Sequence, residues 1–303
     1  MLVLIVFYTI AVQAGLRAMP NLVATASEPV HELCLSFAPK GRHYESYAAI
    51  VCGSSLPFRS ESRGALVQTG LLHLIVVSGS HLILLETFCQ ALLRRIPRAS
   101  ILLWPLLLVF VFANRLQPPV LRAFLQLLLK RSNQTFNLSW RPFQVITASG
   151  LATLSFCRSE NDLRSLSMSW IASLALSIAA KPTQAHLNEE TSWLTNLRVY
   201  LLMIPALLPL ATPHPVSIAY NTLLAPVFGW VLFPLALAAF VFPASATLVD
   251  RAWDAFYTIL QFASRLSPEG WARCEVPTLA LCVYLAFLSV LLLRRERKDL
   301  ACA

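Results

Sequence analysis

Fifty-one consecutive residues, 199–249, contain no Lys, Arg, Asp or Glu. A water-facing helix needs a polar face, and so long a run without charge leaves little to build one. The same pattern recurs at 1–16, 99–114, 142–157, 165–180 and 276–293, and at 64–93 with Glu86 as the one interruption. A membrane-spanning helix needs about 20 mostly apolar residues. Some of these stretches are slightly short, and flanking Arg and Lys can reach the headgroups to complete them. Of the 303 residues 57% are hydrophobic and only 13% charged, about half the ~25% usual for soluble domains. Disorder is excluded by the hydrophobicity, and a disulfide-rich miniature fold by the length and by only 7 Cys. The expected fold is all-α: a polytopic transmembrane helical protein with roughly seven or eight membrane segments.

Proline then shapes the longest stretch. Pro205, Pro209, Pro213, Pro215, Pro226, Pro234 and Pro243 interrupt 199–249. Each removes a backbone donor and clashes with the preceding turn. In lipid, the freed carbonyls must find partners in protein or in a wet cavity. Broken or re-entrant helices are expected here. Residues 1–19 read as an N-terminal membrane anchor, lacking the basic start of a signal peptide. Residues 20–66, polar and mixed in charge, read as an extracytoplasmic loop or remnant domain, and 67–303 as the transmembrane domain. Between 247 and 268, Leu248, Trp253, Phe256, Ile259, Leu260, Ala263 and Leu266 recur at helical spacing opposite Asp250, Arg251, Asp254, Gln261 and Arg265. Such a helix lies either in the membrane surface or across the helix bundle.

The net charge of +9 would suggest nucleic acid in a soluble protein. In a membrane protein, cations first mark cytoplasmic loops. Arg94, Arg95 and Arg98, then Lys130, Arg131 and Arg141, then Arg294, Arg295, Arg297 and Lys298 are the three clusters. They place the C-terminus inside and the 20–66 loop outside. Cys34 and Cys52 share that loop, where an oxidising compartment permits a disulfide; two free thiols are the alternative. Cys89, Cys157 and Cys282 lie in apolar segments and read as small core residues. No cysteine pair has zinc-ligand spacing, so no metal is expected.

The most informative segment runs from Gly70 to Leu82, where His73, Ser78, Gly79, Ser80 and His81 interrupt an apolar stretch. Buried polar side chains need partners or a water-filled face. Ser-Gly-Ser invites a kink, and a discontinuous helix exposes backbone groups that can line a substrate path. Close helix–helix packing through small residues is the other reading. The two His, eight residues apart, lie about 80° apart on an ideal helix and form no single ligand face. A rhomboid-type protease places Gly two residues before its Ser, where this chain has Val76. No catalytic residue is assigned.

Gly70-Leu71-Leu72-His73-Leu74 followed by Ser78-Gly79-Ser80-His81 resembles the hallmark of the ComEC competence-protein family, His-Leu-x-Ala-Ile-Ser-Gly-Leu-His-Val-Gly. His73, Leu74, Ser78, Gly79 and His81 match; Val76, Val77, Ser80, Leu82 and Ile83 differ. Gln117-Pro118-Pro119-Val120-Leu121-Arg122-Ala123 is similar to the family's Pro-Ser-x-x-Arg-Ala. Asn221-Thr222-Leu223-Leu224-Ala225-Pro226 is similar to its Asn-Leu-x-Ala-x-Pro. Ala48 to Pro57 resembles the lead-in to the hallmark. The resemblance spans about residues 45–245.

It implies a channel conducting single-stranded DNA across the bacterial cytoplasmic membrane during natural transformation, with no cofactor and no enzymatic activity. Its implied partners are single-stranded DNA, membrane lipid, an extracytoplasmic DNA receptor and a cytoplasmic motor or strand-binding proteins; a homo-oligomer is compatible with it. The substrate path would include His73, Ser78, Gly79, Ser80, His81, Arg122 and Asn221. Arg122 suits a phosphate contact, and Trp104, Trp140, Trp170, Trp193 and Trp230 either stack on bases or anchor the interface. Family members often carry an oligonucleotide-binding-fold domain and a C-terminal metallo-β-lactamase-like domain. The His-x-His-x-Asp-His signature of the latter does not occur here, so a channel-only form without nuclease activity is expected. The alternatives are a small-molecule or ion transporter, a membrane enzyme using Ser78, or a degenerate copy that no longer transports. Glu86 is the one clear intramembrane carboxylate, which speaks against proton or cation coupling. No Gly-x-x-x-x-Gly-Lys-[Ser/Thr] loop is present, so the driving force would come from a partner or from the membrane potential. A C-terminal fluorescent-protein fusion should be bright and a C-terminal phosphatase fusion inactive; the reverse pair would invert this topology.

Overall fold

With so little polar surface, this chain must satisfy its own backbone, and among the described residues it does so through helices alone, with no strand. The computed structural model describes residues 18–54, 61–75, 79–93, 100–179, 190–208, 216–267 and 276–301; the proposed anchor at 1–19 falls almost entirely outside them. The helices are α1 (Ala18–Phe37), α2 (Tyr44–Cys52), α3 (Glu61–Thr69), the single turn α4 (Leu72–Ile75), α5 (Gly79–Leu93), α6 (Ser100–Ala113) and α7 (Pro118–Phe136). They continue with α8 (Pro142–Leu154), α9 (Glu160–Ala179), α10 (Glu190–Leu207), α11 (Val216–Val227), α12 (Phe233–Val241), α13 (Ala246–Leu266) and α14 (Thr278–Ala301).

Two helical stretches, Val216–Val241 and Thr278–Arg297, are long and apolar enough to cross a membrane. Gly79–Leu93, Leu102–Ala113 and Leu197–Leu207 are shorter apolar helices. Inside the first span the prolines widen the helix locally and do not break it. Between α11 and α12, residues Phe228–Leu232 form a π-helical turn, with Pro226 before it and Pro234 at the start of α12. A wider turn moves carbonyls out of proline's way while the chain stays helical. Pro209, Pro213 and Pro215 lie outside the described residues.

The chain forms two compact units. One comprises Met1–Asn21, Leu125–Leu210 and Arg273–Ala303; the other comprises Leu22–Phe124 and Ala211–Ala272. The division thus groups most of the polar 20–66 segment with most of the long charge-free stretch, from Ala211 on.

In the first unit, α9 packs against α8, α10 and α14 around Ile146, Trp170, Ile171, Leu174, Ala206, Leu281, Leu288 and Leu292. Lipid tails are as apolar as Leu, so close packing holds such helices together. Gly150 is the closest approach: a Cβ there would lie 2.5 Å from the Trp170 ring. Trp170 is therefore a core residue, neither a base-stacking platform nor an interfacial anchor. Polar ties set the helix directions. Thr278 donates to Glu160 at 2.9 Å, joining the starts of α14 and α9. Arg295 donates to the carbonyls of Ser177 and Ile178 at the end of α9. Glu296 accepts the Phe143 N–H at 2.9 Å, at the start of α8. So α14 runs parallel to α9 and antiparallel to α8. Arg295, in the C-terminal basic cluster, thus caps the end of α9.

In the second unit, α13 buries one of its apolar faces. Val249, Trp253, Phe256, Tyr257, Leu260 and Ala263 are buried, whereas Leu248, Ile259 and Leu266 are exposed. The helix packs into its unit with one apolar stripe and leaves a second outside. Its acidic edge holds the start of α2. The Asp250 carboxylate accepts the backbone N–H groups of Arg42 and His43, each at 3.2 Å, and the Tyr47 hydroxyl. Asp254 accepts His43 Nε2 at 2.9 Å and Arg42 at 3.1 Å. Ser46 and Tyr257 hydroxyls meet at 2.7 Å. Asp250 thus caps a helix some 200 residues away in sequence, placing negative charge at its N-terminus. A Cβ on Gly41 would lie 2.5 Å from the Asp250 carboxylate, so glycine is what lets the carboxylate come so near.

Burial works to raise the Asp250 carboxyl, but the Tyr47 hydroxyl, the N–H groups of His43 and Arg42, and the charge of His43 outweigh it and hold it below the ordinary 3.8. A carboxylate lowered on folding stabilises the fold fully above its unfolded value, and that contribution disappears as pH falls through the folded value. Asp250→Asn should cost about 1 kcal/mol at neutral pH, the size of a lost cap. The gap from wild type should close as pH falls below 3.8. Thermal unfolding in detergent across that range checks both; a gap independent of pH would refute the charge argument.

Candidate functional site

The second unit draws together segments far apart in sequence, beginning with α2. Its C-terminus bends into Gly53 at φ +71°. The last carbonyls of a helix lack intrahelical partners, and here side chains from after α6 supply donors. Asn114 donates to Val51 O at 3.1 Å and to Phe110 O at 2.7 Å. Gln117 donates to Gly53 O at 2.8 Å. Asn114 is fully buried. A Cβ on Gly53 would lie 2.5 Å from its Oδ1, so glycine is required both for the backbone angle and for the contact. Between these two donors, Arg115 and Leu116 have φ of 51° and 50°. This left-handed turn ends α6 and aims the chain into Pro118, where a missing N–H costs nothing at a helix start. At the same end of α2, Cys52 is joined by a disulfide to Cys34 of α1, with Cα atoms 5.8 Å apart. Nearby, His31 bonds to Ala113 O at 2.7 Å.

Gly79, the first residue of α5, sits against α7. Its Cβ position lies 2.8 Å from Ala123 Cβ, 3.4 Å from Pro119 O and 3.8 Å from the Arg122 guanidinium. The hallmark glycine and the Pro-Pro-x-x-Arg-Ala segment are thus a single close helix contact, with Gly79 and Arg122 both buried. His81, 1% exposed, lies edge-on to two rings that bracket the π-helical turn. Its ring centroid is 5.6 Å from Phe228 and 5.2 Å from Phe233.

Gly70 and His73 make the corresponding contact with α11. Gly70 has φ +75°, and a Cβ there would lie 2.8 Å from the Ser217 hydroxyl. His73 Nδ1 is 3.1 Å from Gly70 O, and its ring hydrogen-bonds the Asn221 side chain. Asn221 also donates to Ser217 O at 2.9 Å, four residues back. His73 and Ser80 are exposed, Asn221 half-buried. Ser78 lies outside the described residues.

Of the seven expected path residues, the structure pairs His73 with Asn221 and Gly79 with Arg122. It sets His81 among aromatics and leaves Ser80 on the surface. Asn114, Gly53 and Ser217, which the motifs did not single out, hold the cluster in place. The signal for Asn114 was slight: a polar residue ending a charge-free stretch three positions before Gln117. Among the described residues no group of three His, Cys, Asp or Glu could hold a metal ion.

A model of the family described as competence protein matches residues 50–298. The chain belongs to the competence protein family. That match takes in all of the contacts just described from Val51 to the π-helical turn, and it agrees with the ComEC resemblance carried by the motifs. A protein of Aquifex aeolicus (strain VF5), described as uncharacterized, is 26% identical over 219 residues, 69% of this chain and 51% of that protein. The chain therefore spans about half the length of this curated relative. No solved structure matches it.

The Gly79 contact yields a direct test. Gly79→Ala should destabilise the competence protein by roughly 1–3 kcal/mol, the range for overpacking a tight contact. Ala123→Gly in the same chain should recover much of that loss by removing the opposing methyl. Thermal unfolding of the single and double variants measures the coupling; additive losses would refute the contact.

Proposed function

We propose that this competence protein is a conduit for single-stranded DNA across the bacterial cytoplasmic membrane during natural transformation. The observation that carries the reading is convergence. Four motif segments, beginning near residues 48, 73, 117 and 221, meet in one unit through Asn114 and Gln117 on Val51 and Gly53, Gly79 on Ala123, and His73 on Asn221. Segments that share no local sequence logic come together where a site needs them.

The substrate side of this reading rests on His73, Ser80 and Asn221, which reach the surface. A neutral imidazole donates one ring hydrogen and a charged one donates two, so His73 suits passing phosphate or base edges without covalent chemistry. Gly79, His81 and Arg122 are buried and act as the packing that positions them. The chain passes the membrane several times, with its basic clusters inside. Force comes from a cytoplasmic DNA motor or strand-binding proteins, and substrate from an extracytoplasmic receptor. Catalysis is not assigned to this chain.

His73→Ala and Asn221→Ala should each lower DNA uptake per membrane-inserted molecule by about fivefold, and the double variant should be little worse than either. Uptake is scored with labelled DNA in competent cells and normalised to inserted protein. Unchanged uptake per molecule in both single variants would overturn the path assignment. Normal transformation in a deletion strain would overturn the conduit.

A further inference from the structure

The loop from α7 to α8 carries an unusual combination of features. Phe136 is 70% exposed, Leu138 47% and Trp140 38%. Lys130, Arg131 and Arg141 surround them in sequence and are exposed too; among the described residues none of the three makes an ion pair. No Asp or Glu occurs in sequence between Glu86 and Glu160; the carboxylate at the loop's edge is Glu296, bonded to the Phe143 N–H.

Much of this loop's backbone is paired, within the loop and with the residues at the start of α8. Trp140 N–H donates to Asn133 Oδ1 at 2.9 Å, while Asn133 Nδ2 donates back to Trp140 O at 3.0 Å. Leu138 N–H donates to Asn133 O at 3.2 Å. Arg141 N–H donates to Gln144 Oε1 at 2.8 Å and Phe143 N–H to Glu296 Oε1 at 2.9 Å. Asn137 and Ser139 hold φ of 49° and 55°, a left-handed conformation uncommon outside glycine. A surface loop in water has no need to satisfy these donors internally. A loop entering the water-poor boundary of a bilayer does.

We propose that residues 130–141 form an anionic-phospholipid docking site on the cytoplasmic leaflet. Phe136, Leu138 and Trp140 enter the acyl boundary, and Lys130, Arg131 and Arg141 meet lipid phosphates. Aromatic rings and cations together also suit single-stranded DNA. Leu138 between the two rings and the paired backbone favour lipid: a nucleobase gains little from the aliphatic side chain, and a DNA-facing loop would leave donors free for phosphate. The site stands on this loop alone and does not depend on the conduit.

The test uses the full chain in nanodiscs, with Leu138→p-benzoylphenylalanine as a photoprobe. Irradiation should cross-link position 138 to lipid in phosphatidylglycerol discs, and a single-stranded oligonucleotide should not compete. Replacing phosphatidylglycerol by phosphatidylcholine should reduce retention of co-purified lipid. So should Lys130→Gln, Arg131→Gln or Arg141→Gln, by about fivefold each. Asn133→Ala should lower the cross-link yield while unfolding of the remainder is unchanged. Cross-linking to the oligonucleotide in place of lipid would overturn the proposal in favour of nucleic acid. Equal lipid retention in both disc types, or no cross-link to lipid, would overturn it outright.

Discussion

Helix α2, nine residues long, organises its unit because both of its ends are finished by side chains from elsewhere. Asp250 accepts at its N-terminus, and Asn114 and Gln117 donate at its C-terminus. Residues 46–52 are all buried, so water is not at hand for the Val51 carbonyl at the C-terminal end. An unmade hydrogen bond there costs about 1–3 kcal/mol. α1 is joined to α2 through Cys34 and Cys52, α6 and α7 through the Asn114–Gln117 turn, and α13 through its acidic edge. The same solution recurs in the other unit, where Arg295 and Glu296 finish α9 and α8.

Much of the architecture was legible because its causes are local. Charge-free stretches marked the apolar helices, and the prolines marked where 216–241 departs from α-geometry. The amphipathic run at 247–268 was recognised as a helix. Its sequence could not distinguish lipid from protein as the partner of its apolar face, because both remove the same side chains from water. Trp253 and Ile259 look equivalent in sequence, yet one is buried in its unit and the other exposed.

The candidate site divides along the same line. Resemblance singled out His73, Gly79, Arg122 and Asn221, but not which would touch. The pairing of His73 with Asn221 crosses from residue 73 to 221 and has no periodicity that a sequence could display. Gly79 suggested a break in a helix. It stands at the start of α5 and also makes a close approach to Ala123 that a methyl group would disturb. Asn114 escaped notice because capping across 63 residues leaves no trace in local composition.

The separation between α2 and its caps also sets an order of events during synthesis. The donors at its C-terminal end lie 63 and 64 residues downstream, whereas the carboxylate for its N-terminal end lies 208 residues beyond Arg42. A nascent chain therefore completes one end of this helix long before the residue that completes the other has left the ribosome. Until α13 arrives, the N–H groups of Arg42 and His43 are without their final acceptor. The early half of the unit is made before the residues of α13 that tie it down.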